Sequence, residues 1–205
     1  MRGGEVFSPF SLEVYLLIIA ILAGGKGTRF GGEKLLYPIF PEGKALIDVV
    51  YEKVSALDMP VYIITGEDKK HLYISRGYDV LVDNLLIGPI GGILTALSYD
   101  DALVVGGDMP LIGAKLLRDI IRTGEYGKKT VVPSHSGGLL EPLCALYSRS
   151  IYEDMKKYVE GGGRSIQYFL KSSGSYVPFP VKDIKPFYNI NTREDLNSLI
   201  IYGDR

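Results

Sequence analysis

Residues 18–34, IIAILAGGKGTRFGGEK, leave few options for the fold around them. An unbroken apolar run feeds a loop with five glycines and three cations, Lys26, Arg29 and Lys34. Val, Ile and Leu without alternation suit a parallel strand covered on both faces by helices. Glycines at the end of such a strand expose several backbone N–H groups, and with nearby cations these make a phosphate-type anion site.

Length and charge narrow the class further. The 205 residues are expected to form a lead-in over residues 1–13 and one domain over residues 14–205 with a substantial core. A net charge of −1 argues against a general electrostatic footprint for nucleic acid. Cys144 is the sole cysteine, so no internal disulfide can form and cysteine-based zinc sites lack ligands. The longest apolar run, residues 14–23, is about half of the roughly 20 residues that a membrane-spanning helix needs. No cleavable signal pattern is visible, and a cytoplasmic protein without membrane contact is expected.

Apolar runs and helical spacing alternate along the chain. Strands are expected at 14–22, 61–65, 80–82, 102–106, 130–133, 143–147 and 176–179. Helices are expected at 45–57, 68–76, 112–122, 149–159 and 164–171, with a glycine-rich helix start at 88–97. Near the C-terminus Thr192 is expected to cap a last helix, with Asp195 three positions on in capping-box style. The alternation predicts an α/β fold of three layers, Rossmann-like, around a mostly parallel central sheet.

Two familiar phosphate motifs fail on this loop. Walker A requires a glycine five residues before Gly25-Lys26 and a Ser or Thr after it, and Ala20 and Gly27 stand there. The dinucleotide fingerprint requires a third glycine where Phe30 stands. The residues that remain can still serve a triphosphate: Arg29 offers a fork of donors to phosphate oxygens, and Lys34 is a mobile point charge. Asp108, at the end of an expected central strand, is placed to hold a hard divalent ion together with phosphate oxygens.

An ordered set of short motifs resembles the molybdenum cofactor guanylyltransferases of the nucleotidyltransferase superfamily. It comprises Leu22-Ala23-Gly24-Gly25 with Arg29, Gly31-Gly32 and Lys34; Asp83 before Gly88-Pro89-Ile90-Gly91-Gly92-Ile93; and Gly107-Asp108-Met109-Pro110. Pro142-Leu143-Cys144-Ala145-Leu146-Tyr147, Gly162-Gly163-Arg164-Ser165 and the segment from Phe187 through Asn189, Asn191 and Asp195 to Leu196 complete it. The resemblance implies transfer of GMP from GTP to the terminal phosphate of molybdopterin, with Mg²⁺, or Mn²⁺ in its place, as cofactor. It implies Arg29, Lys34 and Asp108 as catalytic residues and Asp108 as the metal ligand. It also implies nucleotide contacts at Leu22, Ala23, Gly24, Gly25, Lys34, Asp83 and Asp108.

On the acceptor side the resemblance points to Arg164, Asn189 and Asn191. The bland readings of these positions stand beside it: a solvated arginine at a helix start, and a local Asx-turn for the asparagines. Asp83 alone could equally be a turn residue. The chain departs from the family pattern in a loop one residue shorter before Lys34, in Glu141 before Pro142, and in having no identifiable polar nucleotide contact near Gly66 and Glu67. Implied partners are GTP, molybdopterin and proteins that deliver or insert the cofactor, for a monomer or weak homo-oligomer. The alternatives are a cytidylyl- or other nucleotidyltransferase acting on molybdopterin, a sugar or alcohol phosphate or a cobamide precursor, and a non-catalytic nucleotide-binding delivery subunit. His71, His135 and Cys144 read as structural.

Overall fold

The structure, a computed structural model, describes residues 17–24, 33–38, 43–192 and 194–195. The expected lead-in, residues 14–16 of the expected first strand, and the loop stretch containing Gly25, Lys26, Arg29, Gly31 and Gly32 lie outside the described residues, as does the last helix beyond Asp195.

The apolar run before the glycine loop forms β1, Ile18–Leu22, in the middle of the sheet. Its parallel neighbours are β2, Val61–Thr65, and β4, Ala102–Gly106, with Ile19 opposite both Val61 and Leu103. A third parallel strand, β3, Val80–Val82, lies beyond β2. On the other side β7, Cys144–Tyr147, runs antiparallel to β4 and joins it to β5, Val131–His135. A two-residue strand, β6, Leu139–Leu140, and β8, Val177–Pro180, complete the order β3-β2-β1-β4-β7-β5-β6, with β8 parallel to β5. The sheet is therefore parallel through its centre and mixed beyond β4.

Both faces are covered, as continuous apolar strands require. Successive residues of β1 point to opposite faces. Ile19 and Ile21 belong to one core with residues of α1, Leu46–Ser55, α2, Lys70–Ile74, and α4, Ala114–Thr123, among them Val50, Tyr73 and Leu117. Ile18 and Ala20 belong to the other, with α3, Pro89–Tyr99, α5, Tyr152–Glu160, and α6, Ile166–Ser173, through Ile93, Met155 and Leu170. Each fully buried Ile or Leu stabilises the fold by about 1.5–3 kcal/mol, so the three layers are held by their two apolar seams. Gly92 lets α3 approach β1 closely: a Cβ there would stand 2.9 Å from Leu22 Cδ2.

This topology gathers the chemistry at one end of the sheet. Parallel strands place the ends of β1, β2, β3 and β4 side by side, and antiparallel β7 brings its beginning, near Leu143, to the same edge. There the Gly106 N–H donates to the Leu143 carbonyl at 2.7 Å. Ligands of open α/β sheets bind in the crevice outside these strand ends.

Candidate active site

A cavity of about 970 Å³ opens at those strand ends, at the upper range for small-molecule sites. Its wall includes Leu22, Ala23 and Gly24 after β1, Thr65 after β2, Asp83 after β3 and Asp108 after β4. A smaller hollow of about 400 Å³, lined by Lys129, Thr130 and Val177 among others, lies at the opposite ends of β5 and β8 and takes in none of the expected site residues.

The charged centre of the larger cavity is an ion pair. Lys34 Nζ stands 2.8 Å from Asp108 Oδ2 and donates to Asn191 Oδ1 at 3.3 Å. Three segments far apart in sequence converge at one ammonium group. The backbone at Asp108 is fixed from two sides. The Ile190 N–H donates to its carbonyl at 2.9 Å, and Lys53 of α1 donates from Nζ to the Pro110 carbonyl. Burial pushes the Lys53 ammonium below its ordinary value. Among the described residues no cluster of three or more His, Cys, Asp or Glu side chains forms a metal site. One carboxylate beside open cavity still fits Mg²⁺, which keeps water ligands and takes phosphate oxygens in addition to one or two protein carboxylates.

Asn191 is held by the turn that ends the described chain. The Asn191 and Thr192 N–H groups both donate to Asp195 Oδ2 at 2.8 Å, and the Asp195 N–H donates to Thr192 Oγ1 at 3.1 Å. This is the capping box expected from Thr192 and Asp195. The backbone donors, Asn191 first, hold the Asp195 carboxyl below the usual carboxylate range. Asn189 is not in the cavity wall, and its Oδ1 is buried without a hydrogen-bond partner. Arg164 is exposed at the turn before α6, where its Nη1 donates to the carbonyls of Val159 and Gly163 at 2.9 and 2.6 Å. It does not line the cavity.

On the β2–β3 side Asp83 is 9% exposed and works on its own loop. Its Oδ1 accepts the N–H groups of Leu85 at 2.9 Å and Leu86 at 3.2 Å. Two backbone groups of the β1 end are already engaged in the sheet: the Ala23 N–H donates to Ile64 O, and the Leu22 carbonyl accepts from Gly107 N–H.

A family described as "MobA-like NTP transferase domain" matches residues 19–174. The chain belongs to this family. A probable molybdenum cofactor guanylyltransferase of Thermococcus gammatolerans is 40% identical over 190 residues, covering 89% of this chain and 98% of that protein. The molybdenum cofactor guanylyltransferase of Mannheimia succiniciproducens is 33% identical over 184 residues, covering 87% and 95%. Among solved structures, molybdopterin-guanine dinucleotide biosynthesis protein A from Archaeoglobus fulgidus is similar with a TM-score of 0.76 at 29% identity, over 92% of this chain and 100% of that one. The chain is thus a nucleotidyltransferase by family.

Two residues of the cavity wall, Glu33 and Lys69, were not expected as site residues. Glu33 and Lys69 form an ion pair of 2.7 Å between the flank of the glycine loop and the β2–α2 turn, and both line the cavity. Lys69 sits in a run of charges that reads as a solvated face. Outside the cavity wall, His135 Nε2 stands 2.7 Å from Glu141 Oε1, a pair formed because the β5–β6 hairpin folds residue 135 back towards residue 141. Cys144 is fully buried in β7, and desolvation pushes its thiol up, as suits an inert packing residue.

Proposed function

We propose that this protein transfers GMP from GTP to the terminal phosphate of molybdopterin and releases pyrophosphate. The observation that carries the reading is the convergence of Lys34, Asp108 and Asn191 in the cavity at the end of β1, inside a chain of the MobA-like family. The relatives named as molybdenum cofactor guanylyltransferases, each matched over nearly its whole length, support the choice of nucleotide and acceptor.

The acceptor phosphate oxygen attacks the α-phosphorus of GTP. The bond from that phosphorus to the bridging oxygen breaks, and the electron pair leaves with pyrophosphate. No covalent protein intermediate is needed, so the task of the chain is alignment and charge stabilisation. Lys34 exchanges its carboxylate partner for triphosphate oxygens and stabilises the charge that develops there. Arg29 is assigned a second cationic contact to the phosphates, with Gly25 and its glycine neighbours offering N–H groups. Asp108 would hold Mg²⁺, which when bound neutralises phosphate charge and favours departure of pyrophosphate. Gly24 and the Ala23 carbonyl are left to meet base or ribose, since the Ala23 N–H and Leu22 carbonyl serve the sheet. Asp83 supports the nucleotide chiefly through the loop it pins. Asn191, joined to Lys34, orients the acceptor phosphate, whereas Asn189 and Arg164 stand outside the cavity wall and are given no contact to the pterin.

The test is incubation of the purified protein with Mg²⁺, molybdopterin and each labelled nucleoside triphosphate in turn. GMP incorporation with stoichiometric pyrophosphate is expected. Incorporation of CMP in its place would sink the guanylyl assignment, and binding without turnover under every condition would favour a delivery subunit. No helix among the described residues is long and apolar enough to cross a membrane.

A further inference from the structure

The turn between β3 and α3 displays a leucine that the fold itself does not use. Leu86 is 68% exposed, so its side chain gains little from burial. Its φ is +51°, in the left-handed region that L side chains rarely adopt and that glycine occupies without a Cβ penalty. A residue that is both strained and exposed to water is retained at a cost in stability, and strained positions gather at ligand sites.

The conformation is imposed locally. Asp83, nearly buried at the end of β3, accepts the N–H groups of Leu85 and Leu86 and so fixes the turn. This aims Leu86 across the end of β2. A Cβ built on Gly66 would lie 3.0 Å from Leu86 Cδ2, so the leucine covers the glycine, and both line the cavity. The contact leaves an apolar wall at a place where the neighbouring residues Glu67, Asp68 and Lys69 are charged.

The position within the cavity says what this wall can meet. Lys34 and Asp108 mark the phosphate end at β1 and β4, whereas Leu86 and Gly66 follow β3 and β2. From β4 to β2 and β3 is two to three strand spacings of about 4.8 Å each. The greater part of the cavity wall beyond Lys34, from Thr65 and Gly66 to Asp83 and Pro89, lies on that side, so it offers the room for the base of a nucleotide whose phosphates meet Lys34. We infer that Leu86 is the packing platform for the nucleobase, held in a strained conformation by Asp83 so that its apolar face meets the base. The inference rests on the nucleotidyltransferase reading and deepens it. Packing without hydrogen bonds favours a purine over a pyrimidine through larger contact area, while the choice between purines belongs to polar groups elsewhere.

The test compares L86G, L86S and L86F in the full chain by Tm, by Kd for GTP and tripolyphosphate, and by kcat with saturating GTP. Glycine removes both strain and platform, serine removes the platform and keeps the Cβ, and phenylalanine keeps an apolar face. L86G is expected to keep or raise Tm while its Kd for GTP weakens about tenfold. L86S is expected to weaken GTP binding equally, and L86F to stay within threefold of wild type. Tripolyphosphate affinity and saturated kcat should hold within twofold in all three. Unchanged GTP affinity in L86S would overturn the inference, as would an equal loss of tripolyphosphate binding, or a fall of Tm by several degrees in L86G. Wild-type protein that binds no nucleoside triphosphate would overturn the inference together with the proposed function. Turnover by the wild type with indifferent variants would overturn the inference alone.

Discussion

Lys34 is assigned to the phosphates, yet without ligand it is bound to the carboxylate assigned to the metal. Removing it therefore has two effects of opposite sign. At 2.8 Å the attraction of unit charges is about 1.5 kcal/mol in water and about 6 kcal/mol at an effective dielectric of about 20. The side chains keep 17% and 24% of their exposure, and Lys34 has Asn191 as a second partner, so the net cost of separating the pair lies towards the lower figure. About 1.4–2.8 kcal/mol, the range of a hydrogen bond between charged groups, is equivalent to about ten- to a hundredfold in affinity. A cation entering at Asp108 must overcome this in the wild type and is spared it in Lys34→Met. The prediction is that Lys34→Met binds Mn²⁺ ten to a hundred times more tightly than wild type in the absence of nucleotide, measured by loss of the free-ion EPR signal on titration. The same variant should turn over GTP about 10²–10³-fold more slowly, because a preorganised cation at the developing charge is gone. Unchanged or weaker Mn²⁺ binding would refute the claim that Asp108 is the metal carboxylate masked by Lys34. Normal turnover would refute the phosphate role of the lysine.

Two further outcomes follow from the same geometry and from the core. Asp108→Ala is expected to lower turnover by at least about 10²–10³-fold while Tm falls by only about 3–10 °C, since the lost ion pair contributes about 1.4–2.8 kcal/mol; near-normal activity would place the metal elsewhere. Asp101 is 5% exposed, and burial raises its pKa above the ordinary carboxylate range although its Oδ1 accepts the Arg149 N–H. A folded pKa above the unfolded one means that its contribution is fully present below the unfolded pKa and is lost as pH rises through the folded pKa. Asp101→Asn should remove that slope and raise Tm at neutral pH, read from thermal unfolding across the acid range; an unaltered pH profile would contradict the assignment.

The parallel half of the fold was legible because its strands leave no freedom. Residues 61–65, 80–82 and 102–106 are short apolar runs bounded by turn residues, and each forms a strand at those bounds. Legibility fell where a second element shared the work. The antiparallel insertion of β7 between β4 and β5 depends on pairing across some forty residues, for which the sequence carries no local sign. The two-residue β6 is too short to show a period. The expected helix over 149–159 begins as a 3₁₀ turn, Arg149–Ile151, because Ser148 Oγ accepts the Ser150 N–H before α5 starts.

The candidate site divides in the same way, by what kind of residue announces itself. Lys34 and Asp108 stood out since charge beside glycines at a strand end is costly to bury and needs a purpose. Their mutual contact, and the share taken by Asn191, did not, because a separation of 157 residues is closed only by the fold. Asp83 shows the limit most clearly. As a strand-end carboxylate it reads as a ligand contact or as a turn residue, and the structure makes those readings one: it caps the turn, and the turn carries Leu86 over Gly66 at the cavity wall. A leucine in a loop has no chemical signature of binding, and a φ of +51° is invisible in one-letter code. The apolar half of a nucleotide site is therefore recovered only from backbone strain and exposure together, after the polar half has fixed which way the cavity runs.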